Sequence, residues 1–359
     1  MDAHSWKIDR ILVRAVNWVG DTILTYPAVR RLKTRFPRSR LTVLVRDRLV
    51  DLWKTCPFVD EVIPFNQKRG WEGVSEDLRL GLFLRKRKFD LAVIFPRSFR
   101  SAYQIYLAGI PIRLGYRDEW RSFFLSDGIP RTELSLRVHR IHYYQKLIDA
   151  LGSDTPGTDA PEAGRGLDSP HLYLRDGDRH WAMERLNTLG LLDGRPLIGM
   201  NPGATYGLAK CWYPDRFGEL GRRLAQKRKA AVLLFGTRDE RTMSQEILKQ
   251  IGEGGVDFSG ETDLLQLGAV LEQCRVLVTN DTGTMHVAAA AGTPVVAIFG
   301  PTDPITTGPW GEDHTIVEKE VDCRPCLRRI CPTDHRCMKK ITVDEVEAVI
   351  DRRLRSMER

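Results

Sequence analysis

Short apolar runs, rich in β-branched residues, alternate with amphipathic helical stretches through both halves of this chain. In the first half the runs are Ile11–Ala15, Leu41–Val45, Val59–Phe65 and Asp90–Phe95. Helical patterns lie between and after them: "DTILTYPAVRRLKTRF" with Pro27 as an expected kink, a Leu- and Arg-rich stretch ending near Lys88, Phe99–Ala108, and His139–Leu151. The second half repeats the scheme with strands Pro196–Met200, Ala231–Gly236, Val276–Thr279 and Pro294–Phe299. Its helices start at about Pro214, run around Glu240–Ile251, and cover "DLLQLGAVLEQC". Such alternation builds parallel βαβ units. Between the halves, Gly152–Pro170 is rich in Gly, Pro, Asp and Ser and has little to bury, as a linker does. The chain therefore reads as α/β, with two Rossmann-like domains whose parallel sheets face a cleft. The domains are residues 1–170 (152–170 the linker) and 171–340, followed by a final helical stretch, 341–359. Ligands of such sheets bind outside the carboxyl ends of the strands, so the loops after strands carry the chemistry.

Composition narrows the partners. The chain has 359 residues, 42% hydrophobic and 28% charged, which suits a soluble globular protein with sizeable cores. A net charge of +8 favours an anionic partner: a membrane surface, a phosphorylated ligand or nucleic acid. The aromatic–basic motifs of RNA readers are missing, so no nucleic-acid partner is expected. The N-terminus, "MDAHSWKIDRILVRAV", has no long apolar run after its basic residues, and a cytoplasmic location is the expectation. Seven cysteines, an odd number, argue against a disulfide framework. Four of them, Cys323, Cys326, Cys331 and Cys337, crowd one segment with His335 nearby. They have the composition of a zinc site, but their spacing is irregular; packed free thiols are the preferred reading, and no metal or other cofactor is expected.

The run between Asp281 and Asp303 holds no Asp, Glu, Lys or Arg, yet Gly292 and Pro294 divide it and a membrane span needs one unbroken element. It reads instead as strand end, helix "MHVAAAA" and strand Pro294–Phe299. The turn Asp281–Thr282–Gly283–Thr284 is then a helix N-terminus with small side chains, suited to a phosphate or diphosphate; a plain helix cap is the competing reading. His286 lies one turn into that helix. "NWVGDTILTYP" places Asp21 at another helix start, where it serves either as a cap or as a base that deprotonates a hydroxyl. The Gly-x-Gly-x-x-Gly fingerprint is absent from that loop, which counts against a dehydrogenase. "NPGATYGLAKCWYP" supplies Thr205, Tyr206 and Lys210 as phosphate donors, and "FGTRDE" supplies Glu240 or Asp239 for ribose hydroxyls.

Taken together, "RAVNWVGDTILTYPAVRRLKTRFP", "NPGATYGLAKCWYPDRF" and "TNDTGTMHVAAAAGTPVVAIFGPTDP" resemble the ADP-heptose:lipopolysaccharide heptosyltransferases, inverting enzymes with the GT-B fold. The Cys-rich tail is more similar to heptosyltransferases II than to heptosyltransferases I. The resemblance implies an N-terminal acceptor domain, a C-terminal ADP-sugar domain, and a last helix that in the family often packs back on the first domain. It implies Asp21 as catalytic base and Lys210 at the donor phosphates. Thr205, Tyr206, Asp281, Thr282, Gly283, Thr284, His286 and Glu240 would then be donor-binding, Tyr206 replacing a threonine of other members. The implied partners are ADP-heptose, the heptosyl-Kdo2-lipid A inner core of lipopolysaccharide, and the anionic inner face of the inner membrane, where the enzyme sits peripherally. Arg97, Arg100, Arg113, Arg117 and Arg121 are candidates for acceptor contact. No Asp-x-Asp metal motif stands out, so no Mg²⁺ requirement is expected. The alternatives are heptosyltransferase I, another GT-B sugar-nucleotide enzyme, or a non-enzymatic nucleotide- or nucleic-acid-binding protein.

Overall fold

The computed structural model describes residues 7–68, 70–133, 137–152 and 169–357. Most of the expected linker, and residues 1–6, lie outside the described residues. The chain divides into two compact units, Met1–Tyr173 and Leu174–Arg359.

The first unit is built on six parallel strands: β1 (Arg10–Arg14), β2 (Arg40–Arg46), β3 (Glu61–Phe65), β4 (Leu91–Ile94), β5 (Ile112–Tyr116) and β6 (Asp127–Ile129), in the order β3-β2-β1-β4-β5-β6. Strand β1 lies inside the sheet, and its Ile11, Leu12 and Val13 have no exposed surface. Such strands belong to parallel sheets covered on both sides. Its longer helices are α1 (Val19–Arg35), α2 (Gly70–Lys86), α3 (Phe99–Leu107) and α4 (Arg140–Asp149). Helix α1 is assigned without a break through Pro27, whose ring is buried. It packs on α4. Strands β5 and β6 are additions to the sequence reading; "IRLGY" and "DGI" carry too few apolar residues to stand out.

The second unit repeats the plan with β7 (Leu197–Asn201), β8 (Ala231–Leu234), β9 (Gly255–Asp257), β10 (Val276–Asn280), β11 (Val295–Phe299) and β12 (Thr315–Glu318). Their order is β12-β11-β10-β7-β8-β9, again parallel throughout. The helices of eight or more residues are α5 (Asp176–Thr188), α6 (Pro214–Arg228), α7 (Arg241–Ile251), α8 (Leu264–Glu272), α9 (Gly283–Ala290) and α10 (Val343–Met357). Helix α9 is the "MHVAAAA" stretch, and the uncharged run resolves into β10–α9–β11, as the glycine and proline punctuation requires.

Helix α10, the expected C-terminal helix, is fastened within this unit. Val346, Ile350 and Leu354 join the core with Phe217, Leu220 and Leu224 of α6. Arg223 reaches Asp344 at 2.5 Å and Glu347 at 2.9 Å, Lys227 reaches Glu347 at 2.6 Å, and Arg228 reaches Asp351 at 2.8 Å. Each fully buried Leu or Ile side chain contributes about 1.5–3 kcal/mol, and the partly covered ion pairs add to that apolar face.

Candidate active site

In the first unit, Asp21 sits in the first turn of α1, where the helix dipole favours a carboxylate. The N-cap, Trp18, offers no side-chain cap. Tyr144 of α4 donates its hydroxyl to Asp21 Oδ1 at 2.8 Å. Tyr144 is buried, with its ring edge-on to Phe95. Burial, and then the Asp21 charge, push the Tyr144 hydroxyl well above its ordinary range, so it keeps its proton and acts only as donor toward Asp21. Tyr144 was not singled out in the sequence: "HYYQKL" looks like ordinary core helix.

The five candidate arginines are used differently. Arg100 is committed to structure: Nε donates to Asp77 Oδ2 at 2.6 Å, and its other nitrogens reach Asp77 Oδ1 and the carbonyls of Lys68 and Gly73. Arg113 is spent on the carbonyls of Phe124, Ile110 and Pro111. Arg97 and Arg117 are exposed. Arg121 is 2% exposed and bonds only the Ile94 carbonyl, at 3.3 Å; its Nε and Nη1 are buried without a hydrogen-bond partner. The buried Tyr143 hydroxyl is likewise unpartnered. Burial, helped by Arg97 and opposed by Tyr143 and Asp118, lowers the Arg121 guanidinium to about 10. Gly115 makes room for it, since a Cβ there would stand 2.8 Å from Arg121 Nη2. Two cationic donors inside the unit are thus left without a partner among the described residues, which is costly for buried charge.

In the second unit, the predicted donor residues gather at the carboxyl ends of β7, β8, β10 and β11. Asp281 does not cap α9. Its Oδ2 accepts from Lys210 Nζ at 2.5 Å and from Thr302 Oγ1 at 2.7 Å. The Lys210 and Asp281 side chains are only 13% and 6% exposed. Thr282 is the N-cap of α9 but makes no side-chain cap bond, and the first turn holds no acidic residue. The N-terminal amides of Gly283 and Thr284 and the positive end of the dipole thus lie beside a lysine, with no carboxylate capping them among the described residues, an arrangement suited to an anion. Thr282 Oγ1 is 3.4 Å from Asn201 Oδ1, tying the turn to β7. Asn280 orders the floor, accepting from Trp212 N at 2.9 Å and donating to the Pro202 carbonyl at 2.6 Å. His286 is buried within α9.

Glu240 rather than Asp239 faces this loop cluster. Its Oε2 accepts from the Thr237 backbone N–H at 2.7 Å and the Thr237 hydroxyl at 2.9 Å. Its carboxylate lies where a Cβ on Gly203 would be, 1.9 Å from Oε1, so a larger residue at 203 would displace the Glu240 carboxylate. Burial, then the Glu240 charge, push the Cys211 thiol, next in sequence to Lys210, up to about 11. Asp239 is exposed.

The Cys-rich segment supports the Lys210 loop. The Tyr206 hydroxyl donates to the Leu327 carbonyl at 2.9 Å, the Ala209 N–H to the Arg329 carbonyl at 3.0 Å, and His335 Nε2 lies 2.8 Å from the Ala209 carbonyl. The Tyr206 ring stacks between Lys210 Nζ, 4.9 Å from its centroid, and the Arg329 guanidinium at 5.1 Å. Tyr206 is thus a strut for the loop, and Thr205 is exposed beside it. Among the described residues no group of three or more His, Cys, Asp or Glu side chains is arranged to hold a metal ion, and Cys323, Cys326, Cys331 and Cys337 are free thiols. An Asp-x-Asp spacing does occur, at Asp176–Asp178, but it starts α5: Asp178 accepts from Arg175 Nε at 2.9 Å and Nη2 at 2.8 Å in a capping box.

The chain is similar to known proteins in sequence and fold. The profile of glycosyltransferase family 9 (heptosyltransferase) matches residues 78–336. Lipopolysaccharide heptosyltransferase 2 of Escherichia coli K12 is 33% identical over 314 residues, 86% of this chain and 87% of that protein. The Salmonella typhimurium LT2 protein of the same name is 34% identical over the same shares. The solved structure of the E. coli ADP-heptose lipopolysaccharide heptosyltransferase II superposes with a TM-score of 0.81 at 29% identity, covering 98% of this chain and all of that one. The α/β, GT-B reading of the sequence agrees with that match. On the family match and the two relatives, the chain is a glycosyltransferase and belongs to glycosyltransferase family 9, the heptosyltransferases.

Proposed function

We propose that this chain moves L-glycero-D-manno-heptose from ADP-heptose to the heptosyl-Kdo2-lipid A inner core, the heptosyltransferase II reaction, with inversion at the anomeric carbon. The observation that carries the subtype is similarity over 86% of the chain to two proteins named heptosyltransferase 2. Asp21, oriented by Tyr144, takes the proton of the acceptor hydroxyl as that oxygen attacks the anomeric carbon, and ADP departs from the opposite face. Lys210 and the amide end of α9 at Asp281–Thr284 stabilise the charge that grows on the leaving diphosphate; such preorganised donors supply about 3–4 kcal/mol each. Glu240 takes the ribose hydroxyls, and Thr205 and His286 complete the donor set. Arg121, with its two unused donors, holds an anionic group of the acceptor, with Arg97 and Arg117 nearer the surface.

The reaction as drawn places every developing charge on a protein donor, so transfer proceeds in EDTA; activity abolished by EDTA and restored by Mg²⁺ would contradict it. The net charge of +8 suits an enzyme working peripherally on the anionic inner face of the inner membrane, and among the described residues no helix is long and apolar enough to cross a membrane. The test is release of ADP from ADP-heptose dependent on heptosyl-Kdo2-lipid A. Release at the rate without acceptor would reject the proposal.

A further inference from the structure

Helix α2 turns one face inward and leaves a second apolar face in solvent. The inward face is Gly73, Asp77, Gly81 and Leu84, and its fit against α3 is close: a Cβ on Gly81 would lie 2.5 Å from Leu107 Cβ. Arg100 locks the same face through Asp77 and the Gly73 carbonyl. At 3.6 residues per turn, Trp71, Val74, Leu78 and Leu82 fall on a separate stripe about a third of a turn away. Their exposures are 90%, 46%, 45% and 60%. A helix serving only its own core puts polar side chains there.

The charges around the stripe are uncompensated. Arg79, Arg85, Lys86 and Lys88 are exposed and form no ion pair among the described residues, whereas the acidic Glu72 and Glu76 both stand 3.6 Å from Lys68. On the other side of α3, Phe99, Trp120, Phe123 and Phe124 line an open cavity of about 730 Å³, with Trp120 82% and Phe123 80% exposed. Arg113 lies 5.5 Å from the centre of the Tyr106 ring at the same cluster.

We infer that the α2 stripe, with the aromatic cluster beyond α3, is the surface on which this unit rests on an anionic phospholipid bilayer. The apolar side chains enter the acyl boundary and the unpaired cations meet the lipid phosphates. Charge decides for lipid over a second copy of the chain: Arg79, Arg85, Lys86 and Lys88 form no ion pair among the described residues while Glu72 and Glu76 already face Lys68, an excess of positive charge that a second copy would repeat and lipid phosphates would neutralise. The inference rests on the membrane-bound acceptor of the proposed function and adds the face that docks.

The test is co-sedimentation of the full chain with phosphatidylglycerol–phosphatidylcholine vesicles and with phosphatidylcholine vesicles, at low and high salt. A delipidated, water-soluble heptosyl-Kdo acceptor serves as the separate activity assay. Anionic vesicles bind about tenfold or more tighter than neutral ones at low salt. Leu78→Ser with Leu82→Ser lowers that affinity about tenfold, and Arg79→Glu with Lys86→Glu does so in a salt-dependent way, while both pairs turn over the soluble acceptor like the wild type. Failure of the wild type to bind, or wild-type binding by the serine pair, overturns the inference and leaves the catalytic proposal standing. A wild-type dimer that the serine pair dissociates also overturns it and assigns the stripe to a second copy. Stripe-dependent vesicle binding without transfer to the soluble acceptor keeps the docking face and removes the catalytic proposal.

Discussion

The hydroxyl of Tyr144 donates to Asp21 Oδ1 at 2.8 Å, joining a buried tyrosine of α4 to the first turn of α1 across 123 positions of sequence. The tyrosine is held by aromatic packing on Phe95 and Tyr143, so the hydrogen bond fixes the carboxylate and not the reverse.

Tyr144→Phe keeps that packing and removes only the donor. The expected result is a fall of about tenfold in kcat, roughly 1.4 kcal/mol of transition-state stabilisation. The KM for the sugar nucleotide stays constant. The acid limb of the kcat profile moves to higher pH, because the carboxylate loses a bond to its charged form. Steady-state kinetics across roughly pH 5 to 9 check this; a change in donor KM alone, with the pH profile unmoved, would mean that Tyr144 does not position Asp21.

Lys210→Met leaves the nearly buried Asp281 carboxylate with Thr302 alone. Breaking a buried pair from one side costs about 3–5 kcal/mol, so the thermal midpoint drops clearly. Adding Asp281→Asn restores much of that stability but not ADP affinity or turnover. Calorimetric unfolding beside ADP titration separates the two effects, and full recovery of ADP affinity in the double variant would remove Lys210 from the donor site.

Gly207 has a φ of 153°, and a Cβ there would stand 2.4 Å from the Arg329 carbonyl oxygen. Gly207→Ala must therefore push the Cys-rich segment off the Lys210 loop. A destabilisation of about 1–3 kcal/mol is expected, with weakened ADP binding. Unchanged ADP affinity would show that the loop does not need this support.

Arg121→Gln removes a buried charge whose Nε and Nη1 have no hydrogen-bond partner among the described residues. Stability should hold or rise, since no counter-charge is orphaned. The acceptor KM should rise about tenfold or more with the donor KM unchanged, as loss of a charged contact made equally in ground and transition states requires. An equal rise with an acceptor lacking anionic groups would disprove the assignment.

Strands such as Val276–Asn280 and Val295–Phe299 were legible because both faces are buried and their apolar, largely β-branched residues run together. Strands β5 and β6 were not, because Arg113 and Asp127 interrupt them and their register comes from neighbours rather than pattern. Loop residues after strands, Asp21, Lys210 and Asp281, were visible as chemistry in the right place. Their partners were hidden: neither Tyr144 nor Thr302 stands out from its segment, and only folding brings them within bonding distance. The role of the Cys-rich segment was not legible in its composition, since Leu327, Arg329 and His335 reach the Lys210 loop through backbone and ring atoms that spacing does not reveal.

The most direct measurement is the mass of the acceptor after incubation with ADP-L-glycero-D-manno-heptose, using Kdo2-lipid A and its monoheptosylated form side by side, with Asp21→Asn as the control. The account predicts one added heptose on the monoheptosylated acceptor only, with the rate cut by about 10²–10⁴ in the variant. Addition to Kdo2-lipid A itself, or an Asp21→Asn enzyme as fast as the wild type, would contradict it.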